Sequence, residues 1–168
     1  MRSLTLVNST PSGFQPEGAP PAELLDMIAA MARGDALAAS ALQIRIWFDG
    51  PDRRPAHMDA AKLAARAEAA RMNRIPVERN TFTVADMQPK DPLAPPAIQR
   101  LGEVRRPTLV VSGALDHVEN RRASQLLADG IPGARLVVMA ECAHVPPLEE
   151  PAAFAELLVS FIATCATV

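Results

Sequence analysis

Two residues of this chain, Asp116 and His144, combine a proton-handling side chain with a suggestive position. Each lies in a loop that follows a short apolar run. Asp116 comes after Thr108-Leu-Val-Val-Ser112, and His144 comes after Ala134 to Ala140. Continuous apolar runs of that length suit strands buried on both faces. Between them, residues 120–129 read as a helix, with Asn120 as N-cap and Gly130 just past its end. Strand, helix and strand in that order imply a parallel unit whose two loops leave the sheet at the same edge. Neighbouring strands lie about 4.8 Å apart, so an aspartate after one strand can reach an imidazole after the next. Such a carboxylate fixes the ring's tautomer and stabilises its cation, while the other ring nitrogen takes a proton from a nucleophile. Alone, Asp116 reads better as a surface turn aspartate and His144 as a buried, hydrogen-bonded core histidine. Their equivalent positions after adjacent strands favour the chemical reading.

The elements that must position this pair come from both ends of the chain. Residues 3–8, Ser-Leu-Thr-Leu-Val-Asn, read as a short strand ended by the turn cluster Asn8-Ser9-Thr10-Pro11-Ser12-Gly13. A strand that short needs partners from elsewhere in a sheet. Helices are predicted over 21–33, where Leu24, Leu25, Ile28 and Met31 recur at helical spacing, over 35–48, and over the alanine-rich 58–74. Prolines recur from 75 to 107, which reads as loop with short helical turns. The last helix opens at Pro151, with Phe154, Leu157, Leu158, Phe161 and Ile162 on one face.

The motifs Gly113-Ala114-Leu115-Asp116 and Ala143-His144-Val145-Pro146, followed by Glu149-Glu150-Pro151, resemble the C-terminal end of an α/β-hydrolase. The resemblance implies that Asp116 is the acid and His144 the base of a catalytic triad. It also implies an α/β fold: the C-terminal part of the hydrolase core, with about three parallel strands, flanking helices and an inserted helical cap. Residues 1–14 and 106–168 would be the partial core and 15–105 the cap. Cap residues Trp47 and Phe48 would then line a substrate pocket, although packing within the cap accounts for either one alone. In this family the nucleophile precedes acid and base on a Gly-x-Ser-x-Gly elbow. None of the eight glycines (13, 18, 34, 50, 102, 113, 130 and 133) has Ser or Cys two residues later. The family's His-Gly oxyanion motif is absent as well. The chain is therefore expected to start just after the elbow and its helix.

Other residues are weaker candidates for the third role. Ser9 and Ser12 follow the first strand at the same sheet edge but lack a strand-to-helix elbow. A turn serine bonding its own backbone explains them better. Cys142, two residues before His144, also reads as a small buried thiol. Asp116 and His117 with His144 and His57 match no zinc spacing, and no metal or cofactor is expected. Glu149 and Glu150 read as negative charge at the last helix's N-terminus.

Composition narrows the classes. The 168 residues are 49% apolar and 21% charged, with a net charge of −2. That balance offers nothing to attract nucleic acid or an anionic membrane. Cys142 and Cys165 form no disulfide framework, which suits a reducing compartment. The N-terminus does not read as a signal peptide, and no run approaches about 18 apolar residues. A cytoplasmic protein is the resulting expectation, and the resemblance implies a small-molecule substrate. The activity implied by the resemblance is hydrolysis of an ester or lactone, with this chain inactive without a nucleophile. The alternative is a non-catalytic interaction module that keeps the Asp–His pair and self-associates through the apolar edge Leu4-Thr5-Leu6-Val7.

Overall fold

The structure is a computed structural model and describes residues 2–79 and 93–165. It divides into two compact units, Met1–Gly18 with Pro92–Val168, and Ala19–Asp91.

The first unit is built on a parallel sheet ordered β1-β2-β3, with β1 Leu4–Val7, β2 Thr108–Gly113 and β3 Arg135–Met139. Leu4 pairs with Thr108 and Val7 with Val111 on one side of β2, and Gly113 pairs with Met139 on the other. Every residue of the central strand β2 is buried, which is why its sequence is almost continuously apolar. Alternation along β2 splits the core into two layers. Val110 packs with Leu101, Leu127 and Ile131. Leu109 and Val111 pack with Phe161, joined by Phe154 and Leu157.

Two helices cover these layers. One is α4 Val118–Gly130, which brings Leu127, and the other is α6 Pro151–Cys165, which brings Phe161. (Helices α1 to α3 belong to the second unit, and α5 is the single turn Pro146–Glu149.) Ile162, expected on the apolar face of α6, is 50% exposed. It lies about 100° round the helix from Phe161, turned off the contact line.

Helix α4 starts two residues earlier than its sequence suggests. His117, not Asn120, is the N-cap, and its Nδ1 accepts the Glu119 N–H at 3.3 Å. Gly130 is the last helical residue. A Cβ there would stand 2.7 Å from Leu101 Cδ1, so the glycine gives Leu101 room to enter the core. Leu101 lies in the second of two short 3-10 turns, Ala97–Gln99 and Leu101–Glu103. Residues 93–105 thus contribute to the sheet unit.

The second unit holds α1 Leu24–Ala32, α2 Ala36–Gln43 and α3 Ala60–Glu78. Asp35 caps α2 by accepting the Ala38 N–H at 3.0 Å, and Asp59 accepts the Lys62 N–H at 2.8 Å near the start of α3. Two departures from the sequence reading appear here. After Gln43 the chain winds as a π-helix over Ile44–Asp49, until Gly50 at φ +75° ends it. And α3 continues to Glu78, four residues past its expected end. The π-helical stretch delivers Asp49, with a fully buried carboxylate, to Arg66 of α3. Arg66 binds it two-pronged, Nε at 2.7 Å and Nη2 at 2.9 Å. That hydrogen bond to Asp49 holds the Arg66 guanidinium above its ordinary pKa despite partial burial. Among the described residues, no helix is long and apolar enough to cross a membrane.

Candidate functional site

The site lies where β2 and β3 end. After Gly113 the chain turns sharply, with Ala114 N–H on Met139 C=O at 2.9 Å and Asp116 N–H on Gly113 C=O at 3.3 Å. These bonds swing Asp116 towards the loop after β3 and bury it to 1% exposure. The approach of the two loops depends on Gly113. A Cβ at that position would lie 1.9 Å from the Ala143 carbonyl oxygen and 2.4 Å from that of Cys142.

Asp116 and His144 meet. His144 Nδ1 stands 2.8 Å from Asp116 Oδ2. A carboxylate only accepts, so Nδ1 carries the hydrogen and the neutral ring has its lone pair on Nε2. The other carboxylate oxygen, Oδ1, accepts the His117 N–H at 2.7 Å and the Asn120 side-chain amide at 2.9 Å. Asn120 Nδ2 also lies 3.2 Å from His144 Nδ1. With a hydrogen already on Nδ1, that approach is a contact between donors, and Asn120 serves the carboxylate. The Asp116 carboxylate is fully buried while the His144 side chain keeps 29% of its surface. The arrangement suits a buried acid that orients a partly accessible base.

Two further side chains hold the loops in place. Asn8, at the exit of β1, is buried and in the left-handed region at φ +41°. Its Oδ1 accepts the Gly113 N–H at 3.0 Å and its Nδ2 donates to the Ala143 carbonyl at 2.9 Å. One asparagine at the exit of β1 therefore ties the end of β2 to the loop after β3. Glu149 is the second. It does not spread its charge over the start of α6, as its sequence position suggests, but turns inward and is 4% exposed. Both of its oxygens lie 2.9 Å from the Ala143 nitrogen, and Oε1 lies 3.1 Å from that of Val145.

The remaining candidates take other places. Ser9 Oγ donates to Val7 C=O at 3.2 Å, a local turn bond as expected, whereas Ser12 Oγ accepts the N–H of Ala97, 85 residues away, at 2.8 Å and so pins a distant 3-10 turn instead of bonding its own backbone. Cys142 is buried, in no disulfide, and its carbonyl accepts the Leu115 N–H at 2.9 Å. His117 caps α4, and His57 is exposed in the second unit. Trp47 and Phe48 belong to the π-helical stretch of that same unit, Trp47 half-buried and Phe48 fully buried. Among the described residues, no group of three or more His, Cys, Asp or Glu side chains is placed to hold a metal.

The profile of the alpha/beta hydrolase family matches residues 2–157. The chain belongs to the alpha/beta hydrolase family. Among solved structures it is similar to Est816, described as an N-acyl homoserine lactone degrading enzyme, with 28% identity, a TM-score of 0.64 and 95% of this chain covered. It is similar to a hydrolase from Pseudomonas aeruginosa PA01 at 27% identity, with a TM-score of 0.60 and the same 95% coverage. The enol-lactonase from Burkholderia xenovorans LB400 shares the fold at 17% identity, with a TM-score of 0.63 over 96% of this chain. The chain spans 57%, 55% and 56% of these three proteins in turn. A search of curated proteins gives no match.

Proposed function

We propose that Asp116 and His144 are the acid and base of a site for ester or lactone hydrolysis by acyl transfer, and that its nucleophilic serine lies outside these 168 residues. The 2.8 Å contact between Asp116 Oδ2 and His144 Nδ1, at the common exit of two parallel strands, carries this reading. Similarity to a lactone-degrading enzyme at 28% identity supports the bond type.

In this mechanism His144 Nε2 takes the serine proton as the oxygen attacks the carbonyl carbon. Asp116 stabilises the resulting imidazolium through the Nδ1 hydrogen bond. The same proton then passes to the departing alkoxide, leaving an acyl-enzyme that water opens with His144 again as base. Of the two candidates from the resemblance, Phe48 is fully buried and packs within its own unit, and half-buried Trp47 is the one with apolar surface left for a small-molecule substrate.

Two assays test the proposal. The purified 168-residue chain should hydrolyse a p-nitrophenyl ester no faster than its His144→Ala variant. Turnover that vanishes on His144→Ala would place the nucleophile within the chain and overturn that half of the reading. A longer protein that carries this sequence behind a Gly-x-Ser-x-Gly elbow should turn the ester over. There, Asp116→Asn should lower kcat by about 10⁴-fold, as expected when the base is held in the wrong tautomer. An unchanged kcat would remove Asp116 from the mechanism.

A further inference from the structure

We infer that Glu149 is a positioning residue for His144, setting the direction from which the imidazole meets Asp116; this rests on the acid–base reading above. Its carboxylate binds the backbone on both sides of the histidine. Ala143 N–H lies 2.9 Å from each oxygen, and Val145 N–H lies 3.1 Å from Oε1. One carboxylate holding the N–H groups of residues 143 and 145 closes a ring through the backbone of His144. The backbone torsions there are then no longer free, and they fix the Cα–Cβ direction. From a fixed Cβ, only two side-chain torsions remain to carry Nδ1 to its 2.8 Å contact with Asp116.

The surroundings strengthen the case. Glu149 is 4% exposed, and a carboxylate is expensive to bury unless charge-assisted hydrogen bonds offset the lost water. Ala143 is also held from its other end, because its carbonyl accepts from Asn8 Nδ2 at 2.9 Å. The short turn Pro146–Glu149 accounts for the spacing, since it folds the carboxylate back over the segment that precedes it. Two buried carboxylates thus act on one histidine, Asp116 on its ring and Glu149 on its main chain.

The test reads the ring itself and needs no turnover. In the ¹⁵N-labelled 168-residue chain, imidazole nitrogen shifts report the tautomer of each neutral histidine. Exposed His57 serves as the internal reference. His144 is expected as the Nδ1–H tautomer in the unaltered protein. Glu149→Gln keeps the side chain's shape but sets an NH₂ against the Ala143 N–H. It should move His144 to the tautomer mixture of His57 while the His57 and His117 signals stay in place. Asp116→Asn should abolish the Nδ1–H preference by removing the acceptor.

A Glu149→Gln protein that keeps the Nδ1–H form, alongside an Asp116→Asn protein that loses it, would overturn the positioning role and leave the acid–base reading intact. If Asp116→Asn leaves the tautomer unchanged, the acid–base reading falls and the positioning role falls with it. Should Glu149→Gln fail to fold, amide exchange in the unaltered protein decides. Ala143 and Val145 N–H should then exchange at least about tenfold more slowly than an open chain, and open-chain exchange at either would overturn the inference.

Discussion

Asn8→Ala is the substitution whose cost can be worked most directly from the structure. It removes two bonds at once, the one accepted from Gly113 N–H at 3.0 Å and the one donated to the Ala143 carbonyl at 2.9 Å. Both partners lie in buried residues, so neither bond is simply traded for water. Leaving the N–H without a partner costs roughly 1–3 kcal/mol, and the carbonyl falls near the lower end of that range. Alanine must also occupy the φ +41° conformation that asparagine tolerates, which costs about 1 kcal/mol more. Together these reach roughly 3–5 kcal/mol, against a total of about 5–15 kcal/mol for a typical domain.

Urea unfolding followed by circular dichroism measures the loss as a lowered midpoint at unchanged slope. Asn8→Gly removes the same two bonds without the backbone strain, so it should be about 1 kcal/mol less damaging than alanine. Asn8→Asp keeps the acceptor for Gly113 but sets a buried carboxylate oxygen against the Ala143 carbonyl oxygen, so it should be at least as damaging as glycine. An Asn8→Ala midpoint within about 0.5 kcal/mol of the unaltered chain would refute the reasoning, because that is the range of inert surface changes.

Three further outcomes are expected. Gly113→Ala must push its methyl into the Ala143 and Cys142 carbonyls, so its cost should reach or pass the roughly 3 kcal/mol upper range of overpacking; an unshifted urea midpoint would contradict the close approach of the two loops. Arg66→Ala leaves the buried Asp49 carboxylate without its two-pronged partner and should destabilise by roughly 3–5 kcal/mol. Arg66→Lys should recover only part of that, because an ammonium cannot reproduce the fork, and full recovery in thermal melts would argue against it. Among the described residues β1 pairs with β2 alone, so the other edge of Leu4–Val7 should favour self-association. Sedimentation coefficients should rise with protein concentration, and a concentration-independent monomer would contradict this.

The sequence carries the sheet plainly because β2 is buried on both faces and has little choice of residue. It also carries the meeting of Asp116 and His144, since loops after adjacent parallel strands share an edge whatever lies between them. It does not carry Asn8, Asn120 or Glu149 as members of the site. Asn8 reads as a turn residue, and its true partners are 105 and 135 residues away. Asn120 sits near a helix start, where asparagine suggests a cap, but His117 has that role and frees Asn120 for Asp116. Glu149 precedes a helix, where a carboxylate suggests dipole compensation; only the fold of Pro146–Glu149 shows it turned towards the backbone beside His144. The signal that could have flagged Glu149 is its place in the short stretch just after His144. The π-helical turn at Ile44–Asp49 has no pattern of its own, because its period differs from that of an α-helix only over one turn.

The stitching by Asn8 also bears on the order in which the chain folds. Asp116 and His144 are 28 residues apart, within one strand–helix–strand unit, while Asn8 closes on Ala143 across 135 residues. For flexible loops that difference adds about 1.4 kcal/mol of closure entropy. Local pairing of β2 with β3 therefore has the kinetic advantage, and the first strand docks onto an edge already formed. Substitutions at Asn8 should then act on the way out and not on the way in, leaving the refolding rate nearly unchanged and speeding unfolding by almost the whole of their cost. In a stopped-flow chevron, Asn8 would behave as a late clasp over an Asp116–His144 pair that assembles without it.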